Sequence, residues 1–311
     1  AVRRAAEDVE MARAAFTTAF GAPDRTLLHG QSWGAQIALK TLELHGKAAD
    51  GTLRYDGALL TNGVVAGGAE AYRVRAELRA VWQQVCANHP RPNEAQYPVW
   101  MGLPPGARMS RADLEARIAE CTGVGLEPAA RSAEQRARLS EITAITGIGE
   151  AQLRTHLSWA TGAMRSLIDS IGGANPFDTR EVVYSGSRDD GALNRAIERF
   201  TPDPEALAGL DAVSNPTRQV AAPVLSVSSL GDQQVSPRLQ DSLERTFAAA
   251  GRAESLTVLR IDWAEHSRLP DPVVASALTA LSAWMETRRR PEPAQIGQAC
   301  RRLDPSCPTI R

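Results

Sequence analysis

The sequence lacks the features of several large protein classes. Its 311 residues contain no apolar run that approaches the roughly 20 residues a membrane-spanning helix needs. Its 35 basic and 36 acidic residues nearly cancel, so no overall field favours nucleic acid or an anionic membrane. It has no CxxC pair and no histidines clustered near its cysteines, which disfavours a zinc site. We therefore expect a globular protein with no metal or organic cofactor, no nucleic-acid partner and no membrane span.

Cysteine is scarce, and its placement is informative. The four cysteines allow two disulfides in three possible connectivities. We predict the pairs Cys86–Cys121 and Cys300–Cys307, because each pair closes a local loop. Four free thiols are the alternative. If the pairs form, the protein is located in the periplasm or outside the cell, and its signal peptide is not in this chain.

One pentapeptide carries the strongest chemical signal. Residues 26–29 form a short apolar run typical of a buried parallel strand. The sequence Gly30-Gln31-Ser32-Trp33-Gly34 follows directly, and residues 35–45 then have the broad apolar face of a buried helix. A G-x-S-x-G motif between a strand and a helix is typical of a nucleophilic serine on a sharp turn. An ordinary glycine-rich turn is the alternative.

The geometry of such a turn explains why it needs these residue types. A serine there has a strained backbone, and side chains two positions away on either side would collide with the strand and helix. We therefore interpret Gly30 and Gly34 as the elbow glycines and Ser32 as the nucleophile. The backbone N–H of Trp33 would face the same place and stabilise a developing oxyanion.

A serine nucleophile needs a base, and His266 is the best placed of five histidines. Residues 255–261 read as a strand, residues 262–266 as the loop that leaves it, and residues 272–287 as a final helix. A histidine on that loop can reach over a nucleophile at the end of another strand.

The candidate acid is Asp232, which follows a predicted strand over residues 223–229 and precedes a helix from about residue 238. It therefore lies at the carboxyl end of a strand, where active sites of open α/β sheets are found. It would orient His266 and stabilise the imidazolium. The alternative is a turn residue before a helix. Asp262 and Glu265 are rivals, but they lie very close to His266 in sequence.

These residues resemble the α/β-hydrolase superfamily. The resemblance rests on Gly30-Gln31-Ser32-Trp33-Gly34, on Asp232-x-x-Val235-x-Pro237 and on His266, and it covers about residues 20–65 and 215–290. It implies a mostly parallel sheet flanked by helices and the chain order serine, acid, histidine. The Ser-Trp-Gly core is similar to capped prolyl-aminopeptidase-like members, and the C-terminal half is similar to secreted bacterial esterases.

The pattern along the chain predicts four segments. Residues 1–63 form the first part of the hydrolase core, 64–214 a helical cap or lid, 215–290 the second part of the core, and 291–311 a C-terminal tail along the surface. The cap is predicted because about 160 mostly helical residues separate two strands that belong to one sheet. A bridge between Cys86 and Cys121 would stabilise that cap.

The nucleophile lies unusually early in the chain. Only one helix fits before the strand that leads to Ser32, whereas α/β-hydrolases have several strands there and a loop with the second oxyanion-hole N–H. We therefore expect an N-terminally truncated fold, with an exposed sheet edge and half an oxyanion hole.

The predicted activity is hydrolysis of a carboxylic ester through an acyl-enzyme formed by Ser32, His266 and Asp232. One alternative is a peptidase with the same triad, in which cap carboxylates such as Glu115 and Glu120 would hold a substrate amine. Another is an inactive fragment or a non-catalytic binding module. The partner is a small-molecule ester or peptide, and the oligomeric state stays open.

Overall fold

The computed structural model describes residues 2–214 and 220–311, and it divides into two compact units. The first unit comprises Ala1–Gly68 and Asp211–Arg311, and the second comprises Ala69–Leu210. The predicted start of the second core segment, at residue 215, lies outside the described residues. Within the described ranges, no helix is both long and apolar enough to cross a membrane.

The elements alternate between strand and helix in the first unit and are helical in the second. The strands are β1 Leu27–Gln31, β2 Gly57–Thr61, β3 Val224–Ser229 and β4 Leu256–Ile261. The helices are α1 Val2–Phe20, α2 Trp33–His45, α3 Gly68–Cys86, α4 Arg111–Thr122, α5 Ala133–Thr146, α6 Glu150–Ser158, α7 Met164–Ser170, α8 Asp190–Ala196, α9 Pro204–Ser214, α10 Leu239–Ala249, α11 Asp271–Thr287 and α12 Pro293–Leu303.

The sheet of the first unit is parallel throughout, in the order β1-β2-β3-β4. Every residue of β2 and of β3 is buried. Since successive side chains of a strand point to opposite faces, both faces of these strands are covered. The apolar runs in the sequence predict this, and the α/β fold class is confirmed. Parallel pairing also brings the carboxyl ends of the four strands to one edge of the sheet.

The C-terminal tail has a regular structure that its polar composition does not predict. Residues 293–303 form α12, which buries Ile296 and Cys300 in the core of the first unit. Ile310 then bridges Ile261 of β4 in antiparallel fashion, and the N–H of Arg260 donates to the carbonyl of Arg311 at 2.7 Å. The tail therefore covers the outer edge of β4, which would otherwise expose unpaired backbone groups. The Cys300–Cys307 bridge holds the end of α12 to this segment.

The second unit is a helical body with its own apolar core, in which Trp82 of α3 is almost fully buried. The indole N–H of Trp82 donates to the Asn88 side chain at 2.9 Å, so its polar atom is satisfied. The sulfurs of Cys86 and Cys121 lie 1.90 Å apart and join α3 to α4. This pairing agrees with the one that the sequence predicts.

His89 gives the second unit a dependence on pH. Its ring is fully buried, with Nε2 at 3.0 Å from the Thr161 hydroxyl. Burial, and then the positive charges of Arg79 and Arg117, lower the pKa of His89 from 6.5 to about 2. Below pH 6.5 the unfolded chain therefore binds a proton that the folded chain does not, and stability falls as the pH falls.

We expect acidification to about pH 4.5 to remove about 3 kcal/mol of stability through His89, because that pH lies two units below the unfolded pKa. Urea denaturation near pH 7 and near pH 4.5 measures the loss. His89→Gln should show a smaller loss between the two conditions, since glutamine does not titrate. An equal loss in the variant would contradict this assignment.

Candidate active site

Four polar residues follow the four strands at the carboxyl edge of the sheet. Ser32 comes directly after β1 and Asn62 directly after β2, while Asp232 and His266 lie in the loops after β3 and β4. Ligand sites of open α/β sheets lie at this edge. The topology alone therefore brings these residues to one region of the first unit.

Ser32 has the strained backbone of a nucleophile turn. Its φ is 54° and its ψ is −124°, in the positive-φ region that non-glycine residues rarely adopt. Two hydrogen bonds hold the turn, from Ser32 N–H to the Thr61 carbonyl at 3.1 Å and from Val64 N–H to the Ser32 carbonyl at 2.9 Å. Trp33 is the first residue of α2, so its N–H belongs to the positive end of that helix.

The two glycines of the pentapeptide have different environments. A Cβ at position 30 would lie 2.4 Å from the Gly34 carbonyl oxygen and 2.6 Å from the Ala35 Cα, both backbone atoms. A Cβ at position 34 would meet nothing within 4 Å. Steric exclusion therefore applies at Gly30, whereas the collision expected at Gly34 is absent. Gly30 is required because strand and helix backbones approach closely at the turn.

Alanine substitutions at the two glycines should differ sharply. We expect Gly30→Ala to cost more than about 3 kcal/mol, because backbone atoms cannot move aside as a side chain can. Gly34→Ala lies inside α2 and should change stability by less than about 1 kcal/mol. Thermal unfolding of both variants provides the measurement. Equal destabilisation by the two would show that the turn is not packed as described.

His266 and Asp232 form a buried pair. His266 Nδ1 lies 2.7 Å from Asp232 Oδ2, and their side chains are 7% and 1% exposed. The other carboxylate oxygen of Asp232 accepts backbone N–H bonds from Gln234 at 2.8 Å and Val235 at 3.1 Å. The carboxylate is therefore held in place and satisfied, and its contact with Nδ1 orients the imidazole.

Asn62 is a component of the site that sequence reasoning missed. It is 1% exposed and has a φ of 44°. Its amide Nδ2 donates to the carbonyls of His266 at 2.6 Å and Glu265 at 3.2 Å, and its Oδ1 accepts from the N–H of Ser229 at 2.7 Å. One side chain thus links the ends of β2 and β3 to the loop of His266. An asparagine after a buried strand, in Thr61-Asn62-Gly63, is the signal that could have found it, since asparagine tolerates positive φ.

The loop that carries His266 also contacts the turn that carries Ser32. The side-chain amide of Gln31, which directly precedes Ser32, donates to the His266 carbonyl at 3.4 Å. The Ser229 hydroxyl donates to the Glu265 carbonyl at 3.2 Å. The histidine loop is therefore held from two neighbouring strand ends and from the serine turn.

Three observations on the first unit now combine. It has a parallel sheet, a strained serine between a strand and a helix, and a buried histidine–carboxylate pair after two later strands. The chain order is Ser32, Asp232, His266, which is the order of α/β-hydrolases. The first unit is thus an α/β unit whose parallel sheet carries these residues at its carboxyl edge.

Comparison with known proteins adds distant similarities only. No protein-family model and no curated protein matches the chain. A Mycobacterium tuberculosis protein described as a non-heme bromoperoxidase is 15% identical over 88% of this chain and 72% of its own, with a TM-score of 0.35. Esterase E22 is 13% identical over 94% of this chain and 65% of its own, with a TM-score of 0.34. A point variant of that esterase is 14% identical over 91% of this chain and 66% of its own, with a TM-score of 0.37. The chain thus spans about two thirds of that esterase's length.

Glu115 and Glu120, the carboxylates of the peptidase alternative, belong to the second unit. Glu115 pairs with Arg111 at 2.9 Å and Glu120 with Arg91 at 2.6 Å, so both carboxylates of the suggested amine site are in ion pairs. Among residues 2–214 and 220–311, no group of three or more His, Cys, Asp or Glu side chains could hold a metal ion.

Proposed function

We propose that the first unit hydrolyses a carboxylic ester, with Ser32 as nucleophile, His266 as base and Asp232 as the residue that orients the base. The observation that supports this most is the buried 2.7 Å contact between His266 and Asp232, on a loop that Gln31 ties to the strained serine turn. A merely structural turn gains nothing from a strained serine, whereas a nucleophile is exposed by it.

The proposed reaction has two halves. The Ser32 hydroxyl oxygen adds to the ester carbonyl carbon while its proton passes to His266 Nε2, and the alcohol then leaves with that proton. Water next adds to the acyl-serine and gives its proton to His266. The acyl–oxygen bond breaks, the proton returns to Ser32, and the acid is released. In both halves, the Trp33 N–H at the start of α2 stabilises the oxyanion.

A fluorophosphonate probe and two substrate classes test this proposal. We expect covalent labelling at Ser32 and turnover of p-nitrophenyl esters. Amino-acid p-nitroanilides should be poor substrates, and preferential cleavage of them would favour the peptidase alternative. No labelling and no turnover would instead favour a non-catalytic role.

The two disulfides support a further part of the proposal, an oxidising location in the periplasm or outside the cell. Cell fractionation, with thiol alkylation before and after reduction, checks this. Four alkylated thiols in the unreduced protein would contradict it.

Asn62 is proposed to position His266, and its removal should slow catalysis. We expect Asn62→Gly to lower kcat about 100-fold with a smaller change in KM, because small displacements of a catalytic group have effects of this size. Glycine keeps the positive φ and removes only the side chain. Gln31→Ala is the matched control, since its 3.4 Å hydrogen bond to the His266 carbonyl is longer and weaker than the 2.6 Å bond from Asn62, and it should lower kcat less than tenfold. Equal effects of the two substitutions would count against the positioning role.

A further inference from the structure

The second unit contains a guanidinium, that of Arg75, that lies between two aromatic rings. The guanidinium carbon of Arg75, in α3, lies 5.2 Å from the centroid of the Tyr72 ring and 4.9 Å from that of the Trp159 ring. Its Nη1 donates to the Ala71 carbonyl at 2.7 Å. Its Nε is buried and has no hydrogen-bond partner in the described parts of the chain. Burial lowers the pKa of Arg75, so its charge is poorly solvated.

Arg73, two residues away on the same helix, shows the usual arrangement. It contacts Glu70 at 2.7 Å and Glu77 at 2.8 Å, so it has two carboxylate partners. Across residues 2–214 and 220–311, no carboxylate lies within ion-pair distance of Arg75. Buried charges are normally paired, because an unpaired one has lost its hydration without compensation. An anion from outside the chain would therefore supply the negative charge that Arg75 lacks.

The backbone next to Arg75 is also unusual. Residues Trp159–Ala163 form a π-helical segment between α6 and α7, and such segments are frequent at functional sites. Trp159 opens this segment, and its ring packs edge-on against His156 at 5.3 Å between centroids. The aromatic ring beside the guanidinium is thereby held by a second contact.

We propose that Arg75, Tyr72 and Trp159 form a binding site for the carboxylate group of a small molecule. A guanidinium edge matches a carboxylate, which can accept two parallel N–H bonds. The two rings would contact an apolar body attached to the carboxylate. This proposal is independent of the proposed esterase activity, since it concerns residues of the second unit alone.

Calorimetric titration of the full chain with sodium benzoate tests the site, at constant ionic strength and with sodium phosphate as the comparison anion. We expect saturable benzoate binding that Arg75→Met weakens at least about tenfold, the usual scale of a charged hydrogen bond. Arg75→Lys keeps the charge without the planar fork and should also weaken binding about tenfold. Arg73→Gln is the matched control and should bind benzoate as the wild type does.

Thermal unfolding without benzoate separates a binding site from a structural contact. If Arg75 is held ready for a ligand, Arg75→Met should unfold at the same temperature as the wild type or higher, because it removes an uncompensated charge. Arg73→Gln should unfold lower, because it removes two ion pairs. Wild-type benzoate affinity in Arg75→Met, or tighter binding of phosphate than of benzoate, would overturn the proposal. So would a fall in unfolding temperature for Arg75→Met as large as that for Arg73→Gln.

Discussion

Replacing Ser32 with alanine is expected to lower kcat for a p-nitrophenyl ester by about 100,000-fold or more, the largest effect of any single change in this chain. Serine nucleophiles act as a unit with their base, so loss of the hydroxyl removes the contribution of the whole triad. The backbone at Ser32, with φ 54° and ψ −124°, has the strain expected of a turn that presents a nucleophile. Steady-state kinetics with a fluorophosphonate titration of active sites provides the measurement.

Two variants make this result interpretable. Ser32→Gly also lacks the hydroxyl but tolerates the positive φ, so it should be as inactive as Ser32→Ala and at least as stable. Ser276 is a buried serine in α11 whose hydroxyl donates to the Val273 carbonyl, and Ser276→Ala should keep its ester activity. Near wild-type turnover by Ser32→Ala would reject the proposed nucleophile.

Replacing Asp232 with asparagine should lower kcat about 10,000-fold. Asparagine has a similar shape, but its amide can present an N–H where the carboxylate accepts one, and the imidazole is then held in the wrong tautomer. The 2.7 Å contact to His266 Nδ1 is the interaction that changes. Ester kinetics over a range of pH, with thermal unfolding to check the fold, measures the effect.

The rival acids supply the controls for Asp232. Asp262 and Glu265 belong to the same loop as His266, and both are exposed. Asp262→Asn and Glu265→Gln should each lower kcat by less than tenfold, because neither carboxylate contacts the imidazole. A large loss of kcat in one of these variants, together with an active Asp232→Asn, would assign the role of the acid to the rival residue.

Much of the first unit can be predicted from local patterns. Both β2 and β3 are short apolar runs that are buried along their whole length, so the pattern and the structure agree there. In β1, which the sequence predicts to be buried, exposed and buried residues alternate, because this strand lies at the edge of the sheet. In contrast, α12 contains a glycine, is polar on one side and follows a proline-rich stretch, so its sequence is typical of a surface tail. It is a helix because Ile296 and Cys300 pack into the core and Ile310 pairs with β4. In this segment, tertiary contacts stabilise a helix whose local sequence has only a weak helix propensity.

The candidate site divides in the same way. The turn at Ser32 could be recognised in the sequence because its requirements are local: a strand, a helix, and no side chain at Gly30, where backbone atoms lie 2.4 Å from a hypothetical Cβ. The order of Ser32, Asp232 and His266 along the chain was also sufficient to nominate the partners. The bonds that hold them were not in the sequence, because they join residues far apart along it. Asn62 contacts Ser229 and His266 across separations of 167 and 204 residues. Likewise, the buried Nε of Arg75 has no hydrogen-bond partner among the described residues because the fold places no acceptor beside it. The sequence by itself therefore determined the tight turn at Ser32, where sterics act within a few residues. Only the tertiary structure decided which distant groups hold the turn and the His266 loop, since hydrogen bonds and burial depend on neighbours in space.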